Sequence, residues 1–238
     1  MISKKKPDLS IFAPERYAQL RLPIEEASTW PADVYVSQEW YEREVETIFL
    51  KSWLVATREE EIPEPGDYIR LDAMGEPLII IRDENHTIHA LSASCRHRGA
   101  ELSHGTGNCK RIVCPYHAWA YSLSGKLLHA NDMDEANNFK LANYNLPGIR
   151  AETWGGFVFI NFDQNAPPLL TSLLDLPKRF ESYGLERMRV TKKWEYYFDA
   201  NWKIWVENSR EGYHVPHAHR NSLNTYYPGA TVNRFEAH

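Results

Sequence analysis

The sequence predicts an α+β protein in which a small all-β domain, over about residues 50–163, is flanked by helical segments. Two observations predict it. The middle of the chain is filled by short apolar or alternating runs separated by Gly, Pro, Asn and Asp turns. On either side, at residues 38–50 and from Asn201 onward, apolar residues recur at helical spacing.

Taken in order, residues 1–36 are rich in Pro and charge, which predicts little regular structure. Residues 38–50 then place Tyr41, Val45, Ile48 and Phe49 at helical spacing, with Ser37 as the N-cap. The segment Ile62-Pro63-Glu64-Pro65-Gly66 punctuates the chain. Beyond it Ile69, Leu71 and Ala73 alternate along a strand at 67–73. Leu78, Ile79, Ile80 and Ile81 form an apolar strand at 77–82, and Asp83-Glu84-Asn85 turns it back into 87–92. Further strands are expected at 119–123 and 126–129, around a Ser124-Gly125 turn, and at 156–162. A Pro-containing connector at 165–168 leads to a predicted helix at 169–183. A strand is expected at 190–199, where Trp194, Tyr196 and Phe198 alternate with Lys193, Glu195 and Tyr197. Asn201 caps a second helix that turns Trp202, Trp205 and Val206 toward a core, and Pro216 ends or kinks it.

Composition narrows the function classes. The chain of 238 residues is 43% hydrophobic and 25% charged, which fits one or two globular domains. A formal charge of -5 without a concentrated basic patch points away from nucleic acid. The one basic run, Lys4-Lys5-Lys6, reads as a solvated tail. No stretch has the length of a membrane span. Pro7, Asp8, Pro14 and Glu15 interrupt any secretory h-region. Three cysteines, Cys95, Cys109 and Cys114, make no disulfide framework, so a reducing cytoplasm is expected.

The chemistry lies in two clusters. In the first, Cys95-Arg96-His97-Arg98-Gly99 is followed by Cys114-Pro115-Tyr116-His117, so each half offers one Cys and then one His. A zinc finger usually takes a Cys pair from one element and a His pair from another. Two facing loops with mixed pairs can hold one iron with Cys95 and Cys114 and a second with His97 and His117, the ligand set of a Rieske [2Fe-2S] centre. A zinc site or a chance polar cluster is the competing reading. Cys109 reads as a spare thiol, and His86, His89, His104 and His129 fit no ligand spacing.

In the second cluster, residues 201–219, Glu211, His214 and His219 stand out. Glu211 and His214 are three apart and so are expected on one helical face, while Pro216 bends the chain so that His219 returns to the same point. Two histidines and a carboxylate around an open iron form the facial triad of non-haem Fe(II) oxygenases. The spacing also admits His217 in place of His219. Asn208 is either a site residue or a helix-surface amide; Tyr213 and Trp202 read as core packing.

The runs CRHRGAEL and GNCKRIVCPYHAW, with NWKIWVENSREGYHVPHAH downstream, resemble the alpha (large) subunit of Rieske non-haem iron, aromatic-ring-hydroxylating oxygenases. The family usually has Gly after the second His, where this chain has Ala118. Ala100 and Tyr116 stand near the places where respiratory Rieske proteins carry disulfide cysteines, so the resemblance is to the low-potential oxygenase type.

The resemblance implies a Rieske domain at 49–164, an N-terminal segment at 1–48, and at 165–238 the beginning of an antiparallel-sheet-and-helix (helix-grip) catalytic domain. It assigns Cys95, His97, Cys114 and His117 to the cluster, and His214 and His219 to a mononuclear iron. Glu211 becomes the bridging acid to a Rieske histidine, here His117, of a neighbouring subunit. Asn208 joins Glu211 among the catalytic positions. The carboxylate ligand comes from a helix far downstream, beyond His238, so about half of the parent architecture is covered and Trp194, Tyr196, Phe198, Trp202 and Trp205 lack partners.

The implied activity is hydroxylation of a small organic substrate with O2, using electrons from NAD(P)H delivered by a ferredoxin or flavin reductase. A homotrimer, with or without a beta subunit, is implied too. The alternatives are a Rieske ferredoxin-like carrier or an incomplete fragment holding only the cluster. The sequence texture resembles chains of aromatic hydrocarbon catabolism. Glu at position 211, where most members have Asp, appears in a subgroup acting on quaternary ammonium compounds.

Overall fold

The computed structural model describes residues 9–133, 135–212 and 214–226, so the lysine run at 4–6 and Tyr213 lie outside the described residues. The chain divides into two compact units, one of them Glu44–Lys193, the other made from the segments before and after it.

The N-terminal segment is more ordered than its composition suggests. Short 3₁₀ turns occupy Leu9–Phe12 and Pro14–Arg21. Aromatic packing supplies the reason: Phe12 and Tyr17 meet the Trp40 ring edge-on, at centroid distances of 4.9 and 5.5 Å. Helix α1 spans Asp33–Val36 and α2 spans Gln38–Thr47. The Ser37 hydroxyl accepts the Trp40 amide at 3.2 Å, the predicted cap.

Among the described residues ten strands follow: β1 Leu54–Arg58, β2 Asp67–Ala73, β3 Glu76–Arg82, β4 Ile88–Ser92, β5 Thr106–Asn108, β6 Ile112–Val113, β7 Ala120–Tyr121, β8 Leu127–His129, β9 Gly148–Trp154 and β10 Phe157–Asn161. They form two antiparallel sheets, of order β1-β10-β9-β4-β3-β2-β5 and β6-β7-β8. The unbroken apolar run of β3 is explained by burial on both faces. Leu78 and Ile80 join one cluster with Ala90, Val158 and Ile160. Ile79 and Ile81 join the other, with Leu91, Cys95, Cys114, Trp119 and Tyr121. That second cluster makes the candidate ligand loops part of the core.

Past β10 the structure departs from the sequence pattern. The expected helix at 169–183 is broken into α3, Leu169–Ser172, and α4, Leu176–Phe180. Leu174 adopts a left-handed φ of 52° between them, and Pro177 sits in the first turn of α4. The expected strand at 190–199 is absent, because no neighbouring strand among the described residues offers a ladder. Trp194, Tyr196 and Phe198 there stay 60–71% exposed.

Helix α5, Trp202–Arg210, begins at the predicted cap: the Asn201 side chain accepts the Lys203 amide at 3.1 Å. Its apolar residues do not enter a core, since Trp205 remains 60% exposed and Val206 38%. The helix also stops before Pro216. That proline lies instead in the first turn of α6, Val215–Ala218, where its missing N–H is harmless. Helix α7, Leu223–Tyr226, follows. Among the described residues no helix is long and apolar enough to cross a membrane.

Candidate metal centres

Two copies of one turn present the first set of ligands. The Gly99 amide donates to the Cys95 carbonyl at 2.9 Å, and the Cys95 amide to the Ala100 carbonyl at 2.9 Å. Likewise the Ala118 amide donates to the Cys114 carbonyl at 3.0 Å, and the Cys114 amide to the Trp119 carbonyl at 2.8 Å. In each copy the residue four past the cysteine is left-handed, with φ of 71° at Gly99 and 55° at Ala118. Glycine adopts this conformation freely, whereas alanine is disfavoured there by roughly 1 kcal/mol. Histidine stands two past Cys95 but three past Cys114, yet the His97 and His117 rings meet at 4.7 Å between centroids.

The surroundings suit metal. Cys95 and Cys114 are 3% and 2% exposed. The His97 ring stacks on Trp119 at 4.9 Å and 8°. The Nδ1 atoms of His97 and His117 are both buried without a hydrogen-bond partner. Orphaned polar atoms of this kind are rare in folded interiors, and a missing ion is one of their standard explanations. Burial, then the neighbouring His117 and Arg98, hold the His97 imidazole below its usual value, which favours the neutral form that binds metal. Burial pushes the Cys95 thiol up; the Tyr121 hydroxyl and the His97 amide oppose this, and the adjacent Cys114 adds to the rise. Such a pair of apposed thiols becomes a pair of thiolates only beside a cation. Among the described residues no three His, Cys, Asp or Glu side chains surround one ion position. A Rieske centre takes two protein ligands on each iron.

The sequence places Tyr121 and Trp119 on a strand and assigns Tyr121 no part in the site. Tyr121 is fully buried, and its Oη lies 3.3 Å from Cys95 Sγ and 3.1 Å from the Arg96 amide. Cys109 is half-buried in a separate small cavity with Tyr68 and Leu102, and burial pushes its thiol up. His89 bonds Asp83 at 2.8 Å and His129 bonds Asn131 at 2.6 Å.

The second cluster is assembled differently from the expected helical face. Helix α5 ends at Arg210, and Glu211 is extended, with φ −116° and ψ 145°. Its carboxylate folds back onto the following turn, accepting the His214 amide at 3.2 Å and contacting the His214 Nδ1 atom. With Nδ1–H donated to Glu211, Nε2 carries the free lone pair. The single turn of α6 then returns His219 to within 5.2 Å of the His214 ring. His217 is exposed. Asn208 lines a groove of about 630 Å³ with Tyr35, Tyr41, Phe198 and Trp205, and its side chain makes no hydrogen bond among the described residues. The structure therefore sets Glu211 against His214 and His214 against His219, whereas His217 meets His214 through its backbone amide, at 3.1 Å from the His214 carbonyl.

Comparison with known proteins matches both regions of the chain. Residues 52–144 match the Rieske [2Fe-2S] domain family, and residues 185–238 match the catalytic domain of ring-hydroxylating alpha subunits. The chain thus carries a Rieske domain and part of a ring-hydroxylating alpha-subunit domain, and the relatives it matches are Rieske oxygenase large subunits. It is 35% identical to the carnitine monooxygenase oxygenase subunit of Acinetobacter pittii, over 81% of this chain and 53% of that protein. It is 35% identical to the glycine betaine monooxygenase oxygenase subunit of Pseudomonas aeruginosa strain UCBPP-PA14, over 82% and 46%. The crystal structure of the quaternary ammonium Rieske monooxygenase CntA with L-carnitine superposes with a TM-score of 0.78 at 35% identity, covering 82% of this chain and 56% of that one. Naphthalene 1,2-dioxygenase with bound indole gives 0.71 at 31% identity, over 80% and 44%. The chain thus spans about half the length of the relatives it matches.

Proposed function

We propose that the chain is the N-terminal part of a terminal oxygenase component that hydroxylates a small organic substrate with O2. The observation that carries this reading is the second cluster. A Rieske electron carrier has no use for Glu211 against His214 and His214 against His219, whereas an oxygenase requires such a cluster. Bound, the [2Fe-2S] cluster and the mononuclear iron supply one-electron storage and O2 activation.

The residues of the chain have distinct tasks. Cys95 and Cys114 offer thiolates from the core, and His97 and His117 offer their orphaned Nδ1 atoms from its edge. Tyr121 directs its hydroxyl at Cys95 Sγ. Glu211 fixes the orientation and tautomer of His214, which leaves Nε2 for iron beside His219. In the assembled enzyme Glu211 would also bridge to His117 of a neighbouring subunit in a homotrimer. Asn208 would act beside the iron. The third, carboxylate ligand would come from the part of the fold that the relatives have and this chain does not span. Electrons would come from NAD(P)H through a ferredoxin or flavin reductase, in a cytoplasmic setting.

For the substrate we favour a small quaternary ammonium compound over an aromatic hydrocarbon. Relatives named for carnitine and glycine betaine support it, and so does Glu rather than Asp at position 211. Iron and acid-labile sulfide per chain, measured on anaerobically purified protein beside the EPR of the dithionite-reduced form, test the reading. Three irons, two sulfides and a Rieske signal are expected. Two irons with two sulfides would favour a carrier or inactive fragment, and zinc without sulfide would overturn the assignment.

A further inference from the structure

The two ligand turns are built alike but held differently. In the first, the left-handed position is Gly99, which adopts its φ of 71° freely. In the second it is Ala118, which adopts a φ of 55° against its preference. The imidazoles differ too. The His97 ring lies nearly parallel to Trp119, at 8°, whereas the His117 ring meets Tyr116 at 36° and His97 at 67°. His117 thus has a disfavoured backbone behind it and, among the described residues, no parallel ring beside it.

Side chains from the neighbouring strand reach this weaker turn. Strand β8 pairs with β7 so that His129 stands opposite Ala120. Ala130 is buried in the core, which leaves His129 and Asn131 on the outer side of the extended chain. Asn131 Nδ2 donates to the His117 carbonyl at 3.2 Å, and Asn131 Oδ1 lies 2.6 Å from His129 Nε2. The amide can point only one way. A carbonyl accepts and never donates, so Nδ2 faces His117, and Oδ1 is left to accept the His129 Nε2 proton. The His117 carbonyl belongs to the peptide that enters Ala118, so fixing its direction fixes both the left-handed turn and the backbone from which the His117 side chain departs.

Resting on the reading of the loops as a Rieske centre, we propose that Asn131, oriented by His129, is a positioning residue that clamps the His117–Ala118 peptide and so holds the His117 imidazole in its place as a ligand. Both bonds lie at the surface, where water competes, so each adds a modest bias. The bias acts on the one ligand whose turn lacks a glycine.

The test uses the full chain carrying its cluster and compares two amides within it. The Ala118 amide, bonded to the Cys114 carbonyl at 3.0 Å, reports the second turn; the Gly99 amide, bonded to the Cys95 carbonyl at 2.9 Å, reports the first. In hydrogen exchange read by mass spectrometry, Asn131→Ala is expected to speed exchange at Ala118 by about two- to tenfold, the range of one net hydrogen bond, and to leave Gly99 unchanged. His129→Ala should act in the same direction, and His129→Gln, which keeps an N–H at the end of the side chain, should restore slow exchange. In pulsed EPR of the dithionite-reduced protein, Asn131→Ala should shift or broaden the nitrogen coupling of one ligand histidine and not the other, which loss of general stability would not do. Equal exchange at Ala118 in variant and wild type, or equal acceleration at Ala118 and Gly99, would overturn the clamp while leaving the Rieske reading intact. Unmoved nitrogen couplings beside faster exchange at Ala118 would overturn its assignment to His117. Absence of a Rieske signal in the wild type would sink the reading of the loops, and this proposal with it.

Discussion

Removing one hydroxyl from the core should lower the potential of the Rieske centre by a measurable amount. Tyr121 Oη receives the Arg96 amide proton at 3.1 Å, so its own proton is free for Cys95 Sγ at 3.3 Å. A ligating thiolate has no proton, which fixes the direction: the phenol donates. Burial, then the contact with Cys95, raises the phenol well above its usual pKa, so it remains a donor at every working pH. Reduction adds negative charge near the sulfur, and the donated bond strengthens in that state. If about 1 to 1.5 kcal/mol of the bond is specific to the reduced state, the one-electron scale of 59 mV per tenfold converts it to roughly 40 to 65 mV. Tyr121→Phe should therefore lower the midpoint by that amount in an EPR-monitored redox titration. The variant also strands the Arg96 amide, so thermal stability should be measured alongside. A midpoint unmoved, or shifted upward, in a folded variant with a normal Rieske signal would refute the reasoning.

Four further outcomes follow from particular contacts. Ala118→Gly relieves a left-handed alanine and should stabilise the protein by about 1 kcal/mol, or 2–4 °C in Tm for a domain of this size; a lower Tm would mean that the methyl packs. Burial pushes the Asp83 carboxyl up, but its bonds to His89, Thr87 and Asn85 outweigh this and leave it below its usual value. Its contribution is thus complete above the unfolded value of about 3.9 and is lost as pH falls through the lower folded one. Asp83→Asn should therefore show a shallower acid-side loss of stability in urea melts between pH 5 and 3, and a slope equal to wild type would count against the assignment. Arg58, 9% exposed, donates to the carbonyls of Leu185 and Met188 at 3.1 and 2.9 Å. Arg58→Met should speed hydrogen exchange at 185–190 while leaving β3 protected; unchanged exchange there would show that other contacts hold the segment. Glu211→Ala removes the partner of His214 Nδ1 and should weaken iron binding at the second site by about 10- to 100-fold in an anaerobic titration. Equal affinity would take Glu211 out of that role.

What the sequence made legible depended on where each segment finds its partners. Strand β2 falls at 67–73 as the alternation requires, because its partners β3 and β5 lie in the same unit. The helix at 38–47 begins where Ser37 caps it, since a cap is a local interaction. Residues 190–199 have an equally clear alternation but no strand beside them, so period alone did not make a strand. The break between α3 and α4 was also hidden. A left-handed leucine at 174 carries no composition signal, unlike a glycine.

The site shows the same division at finer scale. The four candidate ligands, Cys95, His97, Cys114 and His117, were legible because ligand chemistry is a property of residue type. That the two loops are one turn used twice was not, because the repeat lies in the backbone: a bond from the fourth residue back to the cysteine carbonyl, and a left-handed residue there. Gly99 advertises that conformation and Ala118 conceals it. In the second cluster the three-residue spacing of Glu211 and His214 suggested a helix, yet the contact is made by an extended residue folding back on a turn. Both geometries bring a carboxylate to the imidazole, but they differ in consequence. On a helix, Glu211 would be held by the i to i+4 backbone bonds around it. In an extended segment no such backbone ladder holds it, and its carboxylate is tied to the His214 amide and Nδ1, so the acid and the histidine it orients restrain each other. Replacing either should therefore loosen the other, and the effects of the two substitutions should not add.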